Sequence, residues 1–126
     1  MIVCETVVIP TAADGSGTGY TGIVNGIVRA IRYAKVSYEN GVDFAVTAGT
    51  SGLNIWTQTN VNASVDVYPQ AAVSDTAGVA ALYAAGGTAV LTPIPVSDER
   101  IQIAVTSATA GTTPRTGTFY VYVDRG

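Results

Sequence analysis

Alternation of side-chain character at a spacing of two is the feature that most constrains this chain. Thr118-Phe-Tyr-Val-Tyr-Val123 puts Phe119, Val121 and Val123 on one side, with Tyr120 and Tyr122 behind them. Arg100-Ile-Gln-Ile-Ala-Val-Thr106 aligns Ile101, Ile103 and Val105, and Val42-Asp-Phe-Ala-Val-Thr-Ala48 aligns Phe44 and Val46. A period of two belongs to a strand with one buried face, whereas a helix repeats every 3.6 residues. Residues 2–9, rich in Ile, Val and Thr, read as a further strand bounded by Pro10 and the glycine-rich 14–19. Ser64-Val-Asp-Val-Tyr68 alternates and stops at Pro69. In Leu53-Asn-Ile-Trp-Thr-Gln-Thr59 the pattern puts Leu53 and Ile55 on one face and Trp56 on the other. Seven or eight short strands with frequent turn signals and long loops predict an all-β fold, a sandwich or barrel.

Two stretches fit that reading less cleanly. Gly22–Tyr38 carries Ile23, Ile27, Ile31 and Ala34 at helical spacing, yet it also alternates from Ile27 to Lys35. Its β-branched residues and Gly26 favour a strand. The Ala-rich core of Gln70–Thr92 reads either as a short helix or as a long connection, flanked by Gly78, Gly86 and Gly87. No linker or internal repeat divides the chain, so residues 1–126 are read as one β-domain, with 1–10 as an N-terminal pairing arm.

Composition then removes functions. The chain has no histidine and one cysteine, Cys4. Ser-His-Asp or Cys-His nucleophiles, an imidazole base, His-containing zinc sites and an intramolecular disulfide are thereby excluded. A net charge of −3 argues against a dedicated nucleic-acid binder, which relies on Lys and Arg to neutralise phosphates. The apolar N-terminus has no basic leader, Glu5 and Pro10 interrupt it, and no run reaches membrane-helix length, so a soluble protein is expected. Charged residues nevertheless make up only 12%, about half of the usual ~25%, while Ala, Val, Thr and Gly supply 67 of 126 residues. Either the surface is unusually rich in Thr, Ser and Ala, or part of it is covered by a partner.

The motifs that suggest chemistry are weak. Gly17-Thr-Gly19-Tyr-Thr-Gly22 is a literal G-x-G-x-x-G, with Asp43 some way beyond it. A dinucleotide site needs the first glycine directly after a strand and a helix after the last. Residues 10–16 separate the strand-like run from Gly17, and the segment beyond Gly22 is better as a strand. The motif is therefore read as a loop whose glycines permit a turn. Asp98 and Glu99 are adjacent, so an extended backbone points them apart; Asp66 and Asp75 are isolated; Glu39 and Asp43 flank a turn at Asn40-Gly41. These acids read as solvated turn and strand-end groups, and no catalytic, cofactor-binding or metal residue is assigned. Arg29, Arg32 and Lys35 are half of all the basic residues and suit either an ion-paired edge or an acidic partner. Trp56, Tyr68, Tyr120 and Tyr122 serve as core aromatics or as interface anchors. Arg29, Arg32, Trp56, Tyr120 and Tyr122 are taken as the candidate interface. Cys4 is read as a small buried hydrophobe.

Several segments in order carry a resemblance: Val8–Gly22; Arg29-Ala-Ile-Arg-Tyr33 leading to Asn40-Gly-Val-Asp-Phe-Ala-Val-Thr47; Thr57–Ser64; Tyr68-Pro-Gln-Ala-Ala72; Ile94–Ile101; and Gly117-Thr-Phe-Tyr-Val-Tyr-Val123. Together they resemble small virion structural proteins of tailed bacteriophages, of the capsid decoration or cement type. The resemblance implies a non-enzymatic protein without cofactors that binds the capsid surface and stabilises the shell. Its partners would be the major capsid protein and copies of itself, as a homotrimer, with no nucleic acid or membrane. It would be made in the host bacterial cytoplasm and sit on the outer capsid surface. The segments 1–10 and 117–124 are the expected contributors to pairing between subunits or with the shell. A receptor- or carbohydrate-binding β-module of a phage fibre or tail is the alternative, favoured if Trp56 and tyrosines border a groove.

Overall fold

The computed structural model describes residues 1–74, 76–82, 87–88, 90–108 and 115–126. Among them there are eight strands and no helix: β1 (Ile2–Pro10), β2 (Gly17–Lys35), β3 (Val42–Ala48), β4 (Asn54–Val61), β5 (Val65–Val67), β6 (Gln70–Ala72), β7 (Leu91–Thr106) and β8 (Thr116–Asp124). All pairings are antiparallel, in the order β1-β8-β2-β7-β3-β4, with β5 on β2 and β6 on β7. The order does not close on itself. The fold is all-β, as the alternation predicts, and its form is that of a single-domain sandwich rather than a barrel.

One long strand makes a sandwich of this one sheet. The first part of β2 pairs with β7 between Gly17 and Val28, and its last part pairs with β8 between Ile27 and Lys35. Register shifts at Tyr20/Ile23, Val24/Gly26 and Val28/Ala30 mark bulges, which bend and twist a strand. At the bend, Gly26 has φ +133°, and a Cβ there would lie 2.0 Å from the carbonyl oxygen of Asp124. Only glycine fits. One layer is thus β1-β8-β2-β5, and the other runs from the start of β2 through β7 and β3 to β4.

The two inner faces meet in an aromatic cluster. Phe44 of β3 lies edge-on to Phe119 of β8 at 4.9 Å and to Tyr33 of β2 at 4.6 Å between ring centroids. Ile9, Ile31, Ile101, Ile103, Val105, Val121 and Val123 surround it, all fully buried or nearly so. Each such side chain stabilises the fold by about 1.5–3 kcal/mol through burial. The alternating burial of Val42–Ala48 and Thr116–Asp124 is the period of two seen in the sequence.

Four expectations are corrected. Gly17-Thr-Gly19-Tyr-Thr-Gly22 is not a loop but lies inside β2. A Cβ on Gly19 would come 2.7 Å from side-chain carbons of Val7 and Ile9, and one on Gly17 would come 2.6 Å from the Pro10 carbonyl oxygen. The glycines let β1 of one layer lie closely over β2 of the other. Next, Leu53 is exposed while Ile55 and Trp56 are both buried, because the β3–β4 register shifts between Val46/Thr47 and breaks strict alternation. Cys4 is exposed, since the even-numbered residues of β1 face outward. Finally, Glu99 is no solvated strand-end acid: it is 8% exposed and anchors the turn after β3. Within 70–92 the described residues form β6, the start of β7 and a Ser74–Ala80 bridge, while Asp75, the central residues 83–86 and Ala89 lie outside the described residues.

Candidate functional site

Most of the candidate interface residues converge on the outer face of the β1-β8-β2-β5 layer. Inner-face residues of these strands are committed to the core, so their neighbours in sequence must point the other way. Register then assembles the face in rows. Thr6 lies opposite Tyr120, Tyr120 opposite Arg32, and Arg32 opposite Asp66. Beside that row, Cys4 faces Tyr122, which faces Ala30, and Val8 faces Thr118, which faces Ala34. Arg32, Ala34, Tyr120 and Tyr122 line a shallow open depression. The two tyrosines are half-buried and Arg32 is exposed, and the small Ala34 leaves room between them.

Every charge on this face has a partner. Arg32 Nε lies 3.6 Å from Asp66, and Arg29 lies 3.3 Å from Asp124. The N-terminal ammonium is 3.6 Å from the same Asp124 carboxylate. The Gly126 N–H donates to Asp124 and, with Arg29 and the ammonium, holds that carboxyl below its usual range. Asp66, isolated in the sequence, is brought to Arg32 by the β2–β5 pairing. Burial, followed by the nearby Cys4 thiol, raises the Tyr122 phenol above its ordinary value. Exposed pairs of this kind contribute little to stability, about 0–1 kcal/mol. Their groups can therefore exchange partners when another surface arrives.

Four of the five candidate interface residues, Arg29, Arg32, Tyr120 and Tyr122, share this face; Trp56 does not. Its indole is buried in β4, 5.6 Å from the Phe44 ring centroid, and its Nε1–H donates to Gln58 at 3.1 Å. Trp56 is a core residue. Sequence reasoning missed Thr6, Ala30 and Ala34, whose part is set by cross-strand register, which a single strand's pattern does not reveal. Tyr68, 72% exposed, borders a neighbouring groove with Ile2, Arg29, Pro69 and Pro93.

Four further acids among the described residues are spent locally. Glu99 accepts N–H bonds from Thr50 and Ser51 and a hydroxyl bond from Ser51. These bonds, led by that of the Ser51 N–H, hold its carboxyl below the usual range. Asp43 accepts the Asn60 N–H, Asp14 caps Ser16, and Glu39 pairs with Arg115. Among the described residues, no three of His, Cys, Asp and Glu converge as metal ligands would. What the face offers is recognition: hydroxyls and a guanidinium set on a rigid sheet. β8 itself offers no edge, since β1 and β2 occupy both of its sides; β1 ends the strand order, but its far side borders the start of β2, where Gly17 lies against the Pro10 carbonyl and the Gly22 N–H donates to Glu5. In comparisons with protein-family models and with curated proteins, the chain matches none.

Proposed function

We propose that this chain is a non-enzymatic structural protein of a bacteriophage virion, a decoration or cement protein that binds the capsid surface and stabilises the shell. Its partners in this reading are the major capsid protein and further copies of itself. The observation that carries it is the outer face of β1-β8-β2-β5, where Tyr120, Tyr122 and Arg32 border a shallow depression with Ala34, and the charges of Arg29 and Arg32 are balanced by Asp124 and Asp66. A cement protein has to grip a repeated surface, and it needs no cleft. Tyrosine and arginine on a rigid support are the side chains that anchor such contacts most often. The sequence resemblance to virion proteins points the same way, as does the low charge of the chain. The fibre or receptor-binding alternative draws on Trp56 and tyrosines bordering a groove; Trp56 is buried in the core, which leaves that reading Tyr68 and the two tyrosines of the depression alone.

The test is co-sedimentation with empty capsids of the parent phage. The wild-type protein is expected to pellet with them and to raise their melting temperature. Tyr122→Ala combined with Arg32→Ala should weaken binding about tenfold or more, with the fold intact because both side chains lie on the outer face. Wild-type protein that stays in the supernatant removes the reading.

A further inference from the structure

Three depressions on the outer face of the β1-β8-β2-β5 layer join end to end. The first, of about 460 Å³, lies between Tyr68, Pro69, Pro93 and Arg29. It shares Ala30 and Tyr68 with the next, which holds Arg32 and Asp66. That one in turn shares Arg32 and Tyr122 with the depression between the two tyrosines. Together they form one groove along β2 from Arg29 to Ala34, about 17 Å long at the rise of a strand.

The groove is rich in donors and short of acceptors. A guanidinium carries five N–H donors. Arg32 spends none of them at hydrogen-bond length, since its Nε stands 3.6 Å from Asp66. Arg29 spends one, at 3.3 Å, on an Asp124 carboxylate that also takes the Gly126 N–H and faces the N-terminal ammonium. Charge is distributed to match. Of the nine acids and six basic residues of the chain, this face holds Asp66, Asp124, Arg29 and Arg32, and the ammonium adds a further positive charge. Elsewhere seven acids stand against four basic residues. A chain of net charge −3 thus presents a positive face along this groove.

We propose that the groove holds an extended acidic segment of a protein partner, in the polyproline II conformation, with a carboxylate at every third residue; on the virion reading, on which the partner's identity rests, that segment belongs to the shell protein. β2 has no free edge here, because β8 and β5 pair with its two sides, so an incoming β-strand would find no ladder to extend. A polyproline II chain needs no ladder and repeats every three residues, at about 3.1 Å each. Arg29 and Arg32 are three positions apart, about 10 Å along the strand, and the bulge between Val28 and Ala30 brings both to the outer face. Acidic side chains at i and i+3 of such a chain share one side at about 9 Å. Each then meets a guanidinium, which takes a carboxylate through two parallel bonds. The residues between them lie against Tyr68, Pro69 and Tyr122, and aromatic-lined grooves are the usual seats of polyproline II segments. On binding, the incoming carboxylate replaces Asp66 at Arg32, and Asp66, more than half exposed, turns to solvent.

Calorimetric titration with the capped peptide Pro-Glu-Pro-Pro-Glu-Pro tests the groove without capsids. The wild-type protein should bind it with a Kd of about 100 µM in low salt and more weakly in about 0.5 M salt. The same peptide with Gln for both Glu should bind about tenfold more weakly or worse, and Arg32→Gln should weaken the Glu peptide about tenfold. Tyr68→Ala, which keeps every charge, should weaken it about fivefold. Asp66→Asn should tighten it about threefold, because Arg32 loses its competitor. Circular dichroism on the same samples reports that each variant is folded. No binding at about 1 mM, equal binding of the Gln peptide, folded Arg32, Tyr68 or Asp66 variants that bind as the wild type does, or binding of oligogalacturonate in place of the peptide would overturn the proposal. Excess peptide should also release wild-type protein from capsids, and capsid binding that the peptide leaves unchanged overturns the assignment to the shell protein. A protein that takes the peptide as described but ignores capsids upholds the chemistry of the groove and removes the virion reading alone.

Discussion

Tyr33 and Tyr38 form a matched pair for testing how this core is built. Their rings are stacked at 6.1 Å, and both are buried. The Tyr38 hydroxyl donates to the Ile9 carbonyl at 2.6 Å, tying the segment after β2 to β1. The Tyr33 hydroxyl is buried with no hydrogen-bond partner. A buried unpaired hydroxyl costs about 1–3 kcal/mol, and deleting one oxygen leaves a small gap that offsets part of the gain. Tyr33→Phe is therefore expected to stabilise the protein by about 1 kcal/mol. Tyr38→Phe should destabilise it by about 1–2 kcal/mol, because it removes a made bond. Urea unfolding at pH 7 measures both, and in a thermal melt 1 kcal/mol corresponds to about 3–5 °C for a chain of this length. Alkali supplies a second readout. Burial pushes the Tyr33 phenol from its ordinary 10.0 up to about 12, and the Tyr38 phenol higher still. The folded state thus holds protons that the unfolded chain releases near pH 10. The stabilisation is fully present below that pH and falls as pH rises toward the folded values, by about 1.4 kcal/mol per pH unit for each phenol. Each Phe variant should show a shallower decline between pH 10 and 11.5. A Tyr33→Phe protein that is less stable at pH 7 by about 1 kcal/mol or more, or as steep in alkali as the wild type, would refute the reasoning.

Two further predictions probe other contacts. Gly19→Ala should destabilise by about 1–3 kcal/mol in urea unfolding, even though alanine costs less strand entropy, because its Cβ would press on Val7 and Ile9 at 2.7 Å; an unchanged midpoint would mean that β1 does not lie closely over β2. Glu99→Gln keeps the shape but removes the carboxylate that accepts the Thr50 and Ser51 N–H bonds. Since those bonds lower the folded pKa below 4.5, their stabilisation is present above that pH and is lost as pH falls through the folded value. Melts between pH 3 and 7 should show a shallower acid dependence in the variant than in the wild type.

Strand content was legible because each buried face repeats at two, and Val42–Ala48 and Thr116–Asp124 need no distant information to show it. Legibility failed where a residue's environment is set by a partner strand. Ile55 and Trp56 are both buried because β4 slips against β3, and no pattern inside β4 records that slip. The glycines of β2 were visible, but their reason was not. A glycine that permits a turn and a glycine that permits close packing look alike in sequence, and only the distance to Val7 and Ile9 tells them apart. Glu99 is similar, because the N–H groups it serves lie 48 and 49 positions away.

The same limit explains why four of the five candidate interface residues were found and the face itself was not. Arg29, Arg32, Tyr120 and Tyr122 stand out because they are large polar or aromatic groups opposite core positions in their own strands. Asp66, Thr6 and the two alanines are ordinary residues, and they acquire meaning only when register lays them beside Arg32 and Tyr120. Trp56 has the composition of an anchor without the position. Chemical type therefore nominates a residue, and strand register decides whether it faces the core or a partner.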